Sequence, residues 1–209
     1  MGKYFTVEVK PEIPTIATTG QHTTYGDADI LFDWTSFDIP KGAAKLIGIV
    51  MEVRSQGDAG ATVNKFGVDL LFGKSRAHGT IDPVSLGTSN VAVVATLVVP
   101  NIIGHVEMAD TGYCTDLDGT AICTTGRTPQ DACNIVLEGE PDSGTNVGYD
   151  KLWIGGIAKG AIDFTSLCRI NNGTLDGSEF TVNGTETTIT NDDFLYNRNP
   201  VTIILSFEK

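Results

Sequence analysis

Basic side chains are scarce in this chain of 209 residues: 14 Lys and Arg stand against 26 Asp and Glu, a net charge of −12. That shortage argues against DNA or RNA as a partner, because phosphate binding needs clustered cations. It argues equally against an anionic membrane surface. No apolar run approaches the ~20 residues that span a bilayer. The opening Met1-Gly2-Lys3-Tyr4-Phe5-Thr6-Val7 has no apolar core of signal-peptide length. Met1-Gly2 with Thr6 touches the myristoylation pattern, but Phe5, Val7 and Val9 read more simply as one face of a strand. The expectation is a soluble protein made in a cytoplasm.

Metal-binding spacings are also missing. Cys114, Cys123, Cys133 and Cys168 form no C-x-x-C pair, and His22, His78 and His105 form no H-x-x-x-H pattern. No metal and no cofactor is expected, and the thiols are expected to be free. A Cys114–Cys123 bridge across a hairpin-like loop is the alternative. Helical periodicity is absent too: no window of about 12 residues keeps a clean 3.6-residue period.

What the chain does have is Gly, Thr and alternation. Phe5, Val7 and Val9 alternate with polar residues until Pro11. Ile30, Phe32 and Trp34 point one way, then Phe37 and Ile39 fall in the opposite phase, which predicts a bulge near Thr35-Ser36. Further alternating faces are Ile47, Ile49, Met51 and Val53, then Phe66, Val68, Leu70 and Phe72, and finally Val201, Ile203, Leu205 and Phe207. Val91 to Val99 is apolar on both faces, which predicts a central, covered strand. Asn134–Glu138 and Leu152–Ile154 read as shorter strands, the second ended by Gly155-Gly156. Asn183-Gly184 after Phe180 and Val182 signals a two-residue hairpin. Nine or ten strands joined by Gly/Asn/Asp turns predict an all-β antiparallel sandwich or barrel over residues 1–209 as a single domain. Short helical turns are expected at Thr190–Leu195, at Thr128–Asp131 and at Phe164–Cys168.

Charge is unevenly placed. Residues 107–142 hold eight carboxylates against Arg127 alone, a local balance of −7, together with three of the four cysteines. This stretch reads as a long acidic loop excursion from the sandwich that contacts a neighbour.

Candidate chemistry is thin. Gly67 to Gly73 followed by Lys74-Ser75 has five residues between its glycines where a phosphate loop has four, and it overlaps an alternating strand. Asp116-Leu117-Asp118-Gly119 opens like a calcium loop, but the position of the bidentate carboxylate is Arg127. An irregular calcium site is the residual alternative there. Gly155-Gly156 and Gly160 lack dinucleotide-loop spacing, and no G-x-S-x-G elbow occurs. The pairs Asp27/Asp29, Asp33/Asp38 and Asp192/Asp193 could serve a glycosidase, yet carboxylates at strand ends more often bond backbone amides. Asn172-Gly-Thr174 and Asn183-Gly-Thr185 fit glycosylation acceptors but read as Asn-Gly turns. Trp34, in phase with Ile30 and Phe32, is expected in the core. Trp153 falls opposite Leu152 and Ile154 and is expected to face outward, toward a partner or ligand. No catalytic, cofactor-binding or metal-binding residue is assigned.

Three stretches carry a family likeness: Phe37-Asp-Ile-Pro-Lys-Gly42 running into Lys45-Leu-Ile-Gly-Ile-Val50, then Ile157-Ala-Lys-Gly-Ala-Ile162, then Pro200-Val-Thr-Ile-Ile-Leu205. In style the chain resembles the jelly-roll capsid decoration, or cement, proteins of tailed bacteriophages. The resemblance implies a jelly-roll sandwich without enzymatic activity. It also implies a homotrimer seated on the major capsid protein shell, hence a place on the virion surface. Two other readings stay open: a carbohydrate-binding or receptor-binding sandwich, and a glycosidase-like hydrolase with an unrecognised carboxylate pair.

Overall fold

The structure is a computed structural model. It describes residues 2–13, 24–54, 65–75, 82–93, 102–114, 120–125, 133–141, 148–163, 173–176, 179–182, 185–188 and 201–209. These residues form sixteen strands: β1 (Tyr4–Val9), β2 (Thr24–Tyr25), β3 (Ile30–Pro40), β4 (Ala43–Arg54), β5 (Gly67–Gly73), β6 (Ile102–Met108), β7 (Tyr113–Cys114), β8 (Thr120–Thr124), β9 (Ile135–Glu138), β10 (Glu140–Pro141), β11 (Tyr149–Lys159), β12 (Ile162–Asp163), β13 (Gly173–Asp176), β14 (Glu179–Val182), β15 (Thr185–Thr188) and β16 (Val201–Glu208). Among the described residues the one helical element is a 3-10 turn, Asp110–Gly112. The three short helices expected from sequence lie outside the described residues.

Two antiparallel sheets pack face to face. The first runs β1-β16-β4-β8-β7, with β9 also against β4. β8 pairs with residues 50–54 of β4 and β9 with residues 43–46, so the two lie end to end along one edge. In the second sheet β11 has β3 on one side and β5, followed by β6, on the other. β10 continues the line of β5, since Lys151 pairs with both Asp38 and Glu140.

Counting β8 and β9 as one, the long strands number eight in chain order. The first sheet then reads first, eighth, third, sixth, and the second reads second, seventh, fourth, fifth. This is the double Greek key of a jelly roll. Smaller pieces complete the inventory: β12 pairs with β2, and β13, β14 and β15 form a meander. Val182 pairs with Thr185; the Asn183-Gly184 turn signal between them lies outside the described residues.

The core lies between the sheets. From the first come Val9, Leu46, Ile49, Met51, Val53, Ala121, Cys123, Leu137, Val201, Ile203, Leu205 and Phe207; from the second come Phe32, Phe37, Ile39, Val68, Leu70, Phe72, Met108, Leu152 and Ile154. Burying such side chains contributes about 1.5–3 kcal/mol each. Phe207 stacks on Phe5 at 5.2 Å between centroids. First and last strands are neighbours, and Lys3 and Lys209 exchange backbone hydrogen bonds of 2.9 and 2.8 Å.

Bulges correct three expectations. In β4 the register with β16 slips between Ser206 and Phe207, so the inward residue is Leu46 and Ile47 is only half-buried. In β3 the extra residues relative to β11 fall between Ile30 and Thr35, upstream of the expected Thr35-Ser36. Gly155-Gly156 does not end a strand: β11 runs straight through the pair to Lys159.

Much of the described part of the acidic stretch 107–142 pairs within the sandwich. Glu107 is on β6, and β7, β8, β9 and β10 all pair within the two sheets. At Gly139 the chain passes from β9 in the first sheet to β10 in the second. A Cβ there would lie 2.8 Å from Asp150 Cβ and 3.1 Å from Lys151 O, so the crossing needs a glycine. Segments 115–119 and 126–132, which hold Asp116, Asp118 and Asp131, lie outside the described residues. The Val91–Val99 strand is described only to Val93, and there Ala92 makes one isolated bridge to Asp29.

Candidate functional site

Two surfaces combine unusual exposure with ordered side chains. The first is the outer face of the first sheet. Tyr4 pairs with Glu208, Glu208 with Lys45 and Lys45 with Val136, so the four form one row across β1, β16, β4 and β9. Tyr4 is 70% exposed and Val136 65%. The Tyr4 hydroxyl donates to Glu208 Oε1 at 3.2 Å. The adjoining row holds the small, uncharged Thr6, Ser206 and Gly48. Among the side chains described on this face, Glu8, Glu52, Glu138 and Glu208 outnumber Lys45 and Lys10, the latter ion-paired with Glu8.

The second surface is an open cleft of about 470 Å³ beside β3, lined by Lys10, Glu12, Phe32, Asp33, Trp34, Thr35 and Ser89. Its geometry begins with alternation after β1. Pro11 and Ile13 turn inward and are buried, which leaves Lys10 and Glu12 outward. The β3 bulge does the rest. Leu31 and Phe32 join the main core, while Ile30 and Trp34 belong to a second cluster with Leu71, Leu86, Val93, Ile102 and Ile157 on the outer face of the second sheet. Trp34 is therefore half-buried beside the cleft rather than inside the main core, because a one-residue slip reverses the face.

A strap, residues 82–93, fastens over this second cluster. Asp33 accepts from Ser85 Oγ at 2.5 Å and from Leu86 N at 2.8 Å. Trp34 Nε1 donates to Val84 O at 2.8 Å. Asn90 N donates to Ile30 O and Ile30 N to Val91 O. Tyr25 and Ser89 hydroxyls share a bond of 3.0 Å, and burial pushes the Tyr25 pKa up to about 12, with Ser89 opposing and Asp29 adding to the rise.

No protein-family model, curated protein or solved structure matches this chain.

The remaining sequence candidates are placed singly. Asp27 accepts from Gly160 N and Asp29 from Gly26 N, so these carboxylates bond backbone amides. Asp192 and Asp193 lie outside the described residues. Cys114 is exposed and Cys123 is buried, and both are free thiols; they occupy opposite faces of neighbouring strands, which keeps their sulfurs apart. Cys133 is also free, and burial pushes its thiol pKa up. Cys168 lies outside the described residues. Trp153 does lie on the face opposite Leu152 and Ile154, yet it is only 9% exposed, with Lys151 Nζ 4.7 Å above its ring. It offers no open surface to a partner.

Sequence reasoning misses the cleft because its residues come from three separated segments. The one local signal is the phase change in β3, which by itself reads as a packing feature.

Proposed function

We propose that the chain is a non-enzymatic structural protein of a virion. In this reading it is a decoration or cement protein that binds the major capsid protein shell, acts as a homotrimer on the capsid surface and is made in the host cytoplasm. The observation that carries the reading is the outer face of the first sheet. A sandwich needs apolar residues only on its inner faces, whereas Tyr4 and Val136 stand exposed here at the two ends of a row completed by Glu208 and Lys45, beside a row of small neutral residues. Such a face can exclude water against a partner. Its surplus of glutamates complements a basic surface and disfavours an acidic one. The jelly-roll order supports the reading without deciding it, since the fold also serves lectins and cupins.

The test is sedimentation of the purified protein with and without empty shells, alongside its mass in solution. Co-sedimentation that is lost in a Tyr4→Ala/Val136→Asp double variant of unchanged melting temperature is the expected result. Failure of the parent protein to co-sediment ends the proposal, and a monomeric mass removes the trimer.

A further inference from the structure

The cleft beside β3 is separate from the Tyr4–Val136 row of the first sheet, and its construction points to a ligand of its own. Its volume of about 470 Å³ lies within the ~300–1,000 Å³ usual for small-molecule sites. Its aromatic wall is held in place on two sides. The Trp34 indole N–H is committed to Val84 O at 2.8 Å. The opposite edge of the ring rests on Gly155, where an added Cβ would come within 3.3 Å of Cε3 and 3.4 Å of Cζ3. A ring positioned before binding loses little freedom when it is covered. With its donor already used, it offers a ligand its π surface alone.

The polar flanks narrow the ligand class. Asp33 is consumed by the strap through both oxygens, so it is unavailable to a ligand. Lys10 is paired with Glu8 at 2.5 Å. Glu12 is exposed and has no hydrogen bond or ion pair among the described residues. One cation and one uncommitted anion stand beside an aromatic wall, so the cleft has no net preference for a charged ligand. It suits a neutral molecule with an apolar C–H face and a ring of hydroxyls: the C–H face lies on the electron-rich ring, and the hydroxyls donate to a carboxylate and accept from an ammonium.

We propose that the cleft is a saccharide-binding site in which Trp34 is the stacking wall, with Glu12 and Lys10 as the hydroxyl partners. The inference is independent of the shell reading.

Saturation-transfer NMR and calorimetry with methyl β-glucoside, methyl β-galactoside, methyl α-mannoside and N-acetylglucosamine test it, followed by a printed array of oligosaccharides. At least one pyranoside is expected to bind with a dissociation constant on the order of 1 mM, typical of a small ligand on an open site. Transfer should be strongest at the protons of one ring face. Glu12→Gln is expected to weaken binding several-fold with no change in melting temperature. Trp34→Phe keeps an aromatic wall and should weaken it less than Trp34→Ala. Three results would overturn the proposal: no binding to any of the four sugars or to the array, binding unchanged in both Glu12→Gln and Trp34→Phe, or retention of unglycosylated peptides that sugars do not displace. Co-sedimentation with shells should be unchanged in Glu12→Gln, so failure here and failure of the shell reading are separate outcomes.

Discussion

Replacing Gly156 with alanine tests the packing logic of the sandwich most directly. Gly156 sits mid-strand in β11 opposite Leu70, facing the core. A Cβ there would lie 2.2 Å from Phe32 Cε1 and 2.7 Å from both Cδ1 and Cζ. Phe32 is buried in the main cluster, and although it also borders the cleft, its ring can retreat only by giving up core contacts. Alanine elsewhere in a strand would be mildly favourable, gaining about 0.4–1 kcal/mol by restricting the unfolded chain. Overpacking a filled core costs about 1–3 kcal/mol. The clash therefore dominates, and the net loss is about 1–2 kcal/mol, which for a chain of this size lowers Tm by roughly 2–8 °C. Gly48→Ala is the control, because its Cβ would meet only Thr125 O at an ordinary 3.6 Å; it should fall within about 0.5 kcal/mol of the parent. In a Phe32→Val background, where the shorter side chain leaves room, the Gly156→Ala penalty should shrink by about 1 kcal/mol, a coupling of the size expected for residues in contact. Urea melts of the parent, the single variants and the double variant decide the matter. A Gly156→Ala protein as stable as the parent, or an undiminished penalty in the Phe32→Val background, refutes the reasoning.

Other consequences can be checked independently. Asp33→Ala removes two of the strap's anchors, those to Ser85 Oγ and Leu86 N; a loss of about 1–3 kcal/mol should appear with faster hydrogen exchange at the Leu86 amide. Tyr25 holds its proton more tightly folded than unfolded, its pKa raised from 10.0 to about 12 by burial. The unfolded chain therefore releases that proton first. The associated stability is intact below about pH 10 and declines toward pH 12, by up to about 1.4 kcal/mol per pH unit. Tyr25→Phe should flatten that alkaline slope in urea melts across pH 9 to 11, and an unchanged slope would count against the assignment. Residue-resolved thiol labelling should modify exposed Cys114 at once and buried Cys123 only on unfolding; equal rates at the two would contradict their placement on opposite faces.

The sandwich was legible in the sequence where alternation was unbroken. Phe66, Val68, Leu70 and Phe72 all point into the core, as do Val201, Ile203, Leu205 and Phe207. Period-2 patterning reports directly which face is buried. It fails at bulges, because one inserted residue exchanges the faces; this is why Leu46 rather than Ile47 points inward and why Trp34 lies outside the main core. Glycine was ambiguous in a different way. Gly155-Gly156 carries the composition of a turn, but the pair is there for close approach inside a strand, and only the aromatic groups facing it reveal that. The acidic bias of 107–142 is real as composition. Where it is described, part of that charge sits on exposed edges and outer faces of strands such as β6 and β9, while 115–119 and 126–132 lie outside the described residues. The cleft was invisible because alternation says which way a side chain turns, not which distant segment it meets.

One strand pair links core and cleft. The extra residues in β3 place Phe32 inward and Trp34 outward within three positions. Across from them, β11 presents two glycines in succession: a Cβ on Gly156 would strike Phe32 on the inner face, and one on Gly155 would strike Leu86 Cδ1 at 2.5 Å and crowd Trp34 on the outer face. A bulge of this kind is stable only if the facing strand leaves room on both sides. The two alanine variants should therefore fail differently. Gly156→Ala loads the main core and lowers global stability. Gly155→Ala pushes Leu86, whose amide is tied to Asp33, and so loosens the strap and shifts the Trp34 ring. In a Trp153→Phe background, which leaves Trp34 as the single reporter, Gly155→Ala should change the emission maximum of the folded protein and weaken any cleft ligand. Gly156→Ala should leave that emission nearly unchanged below its melting transition. Identical fluorescence in both variants would mean that the glycines do not separate the two faces, and the account of how β3 builds the cleft would fall with it.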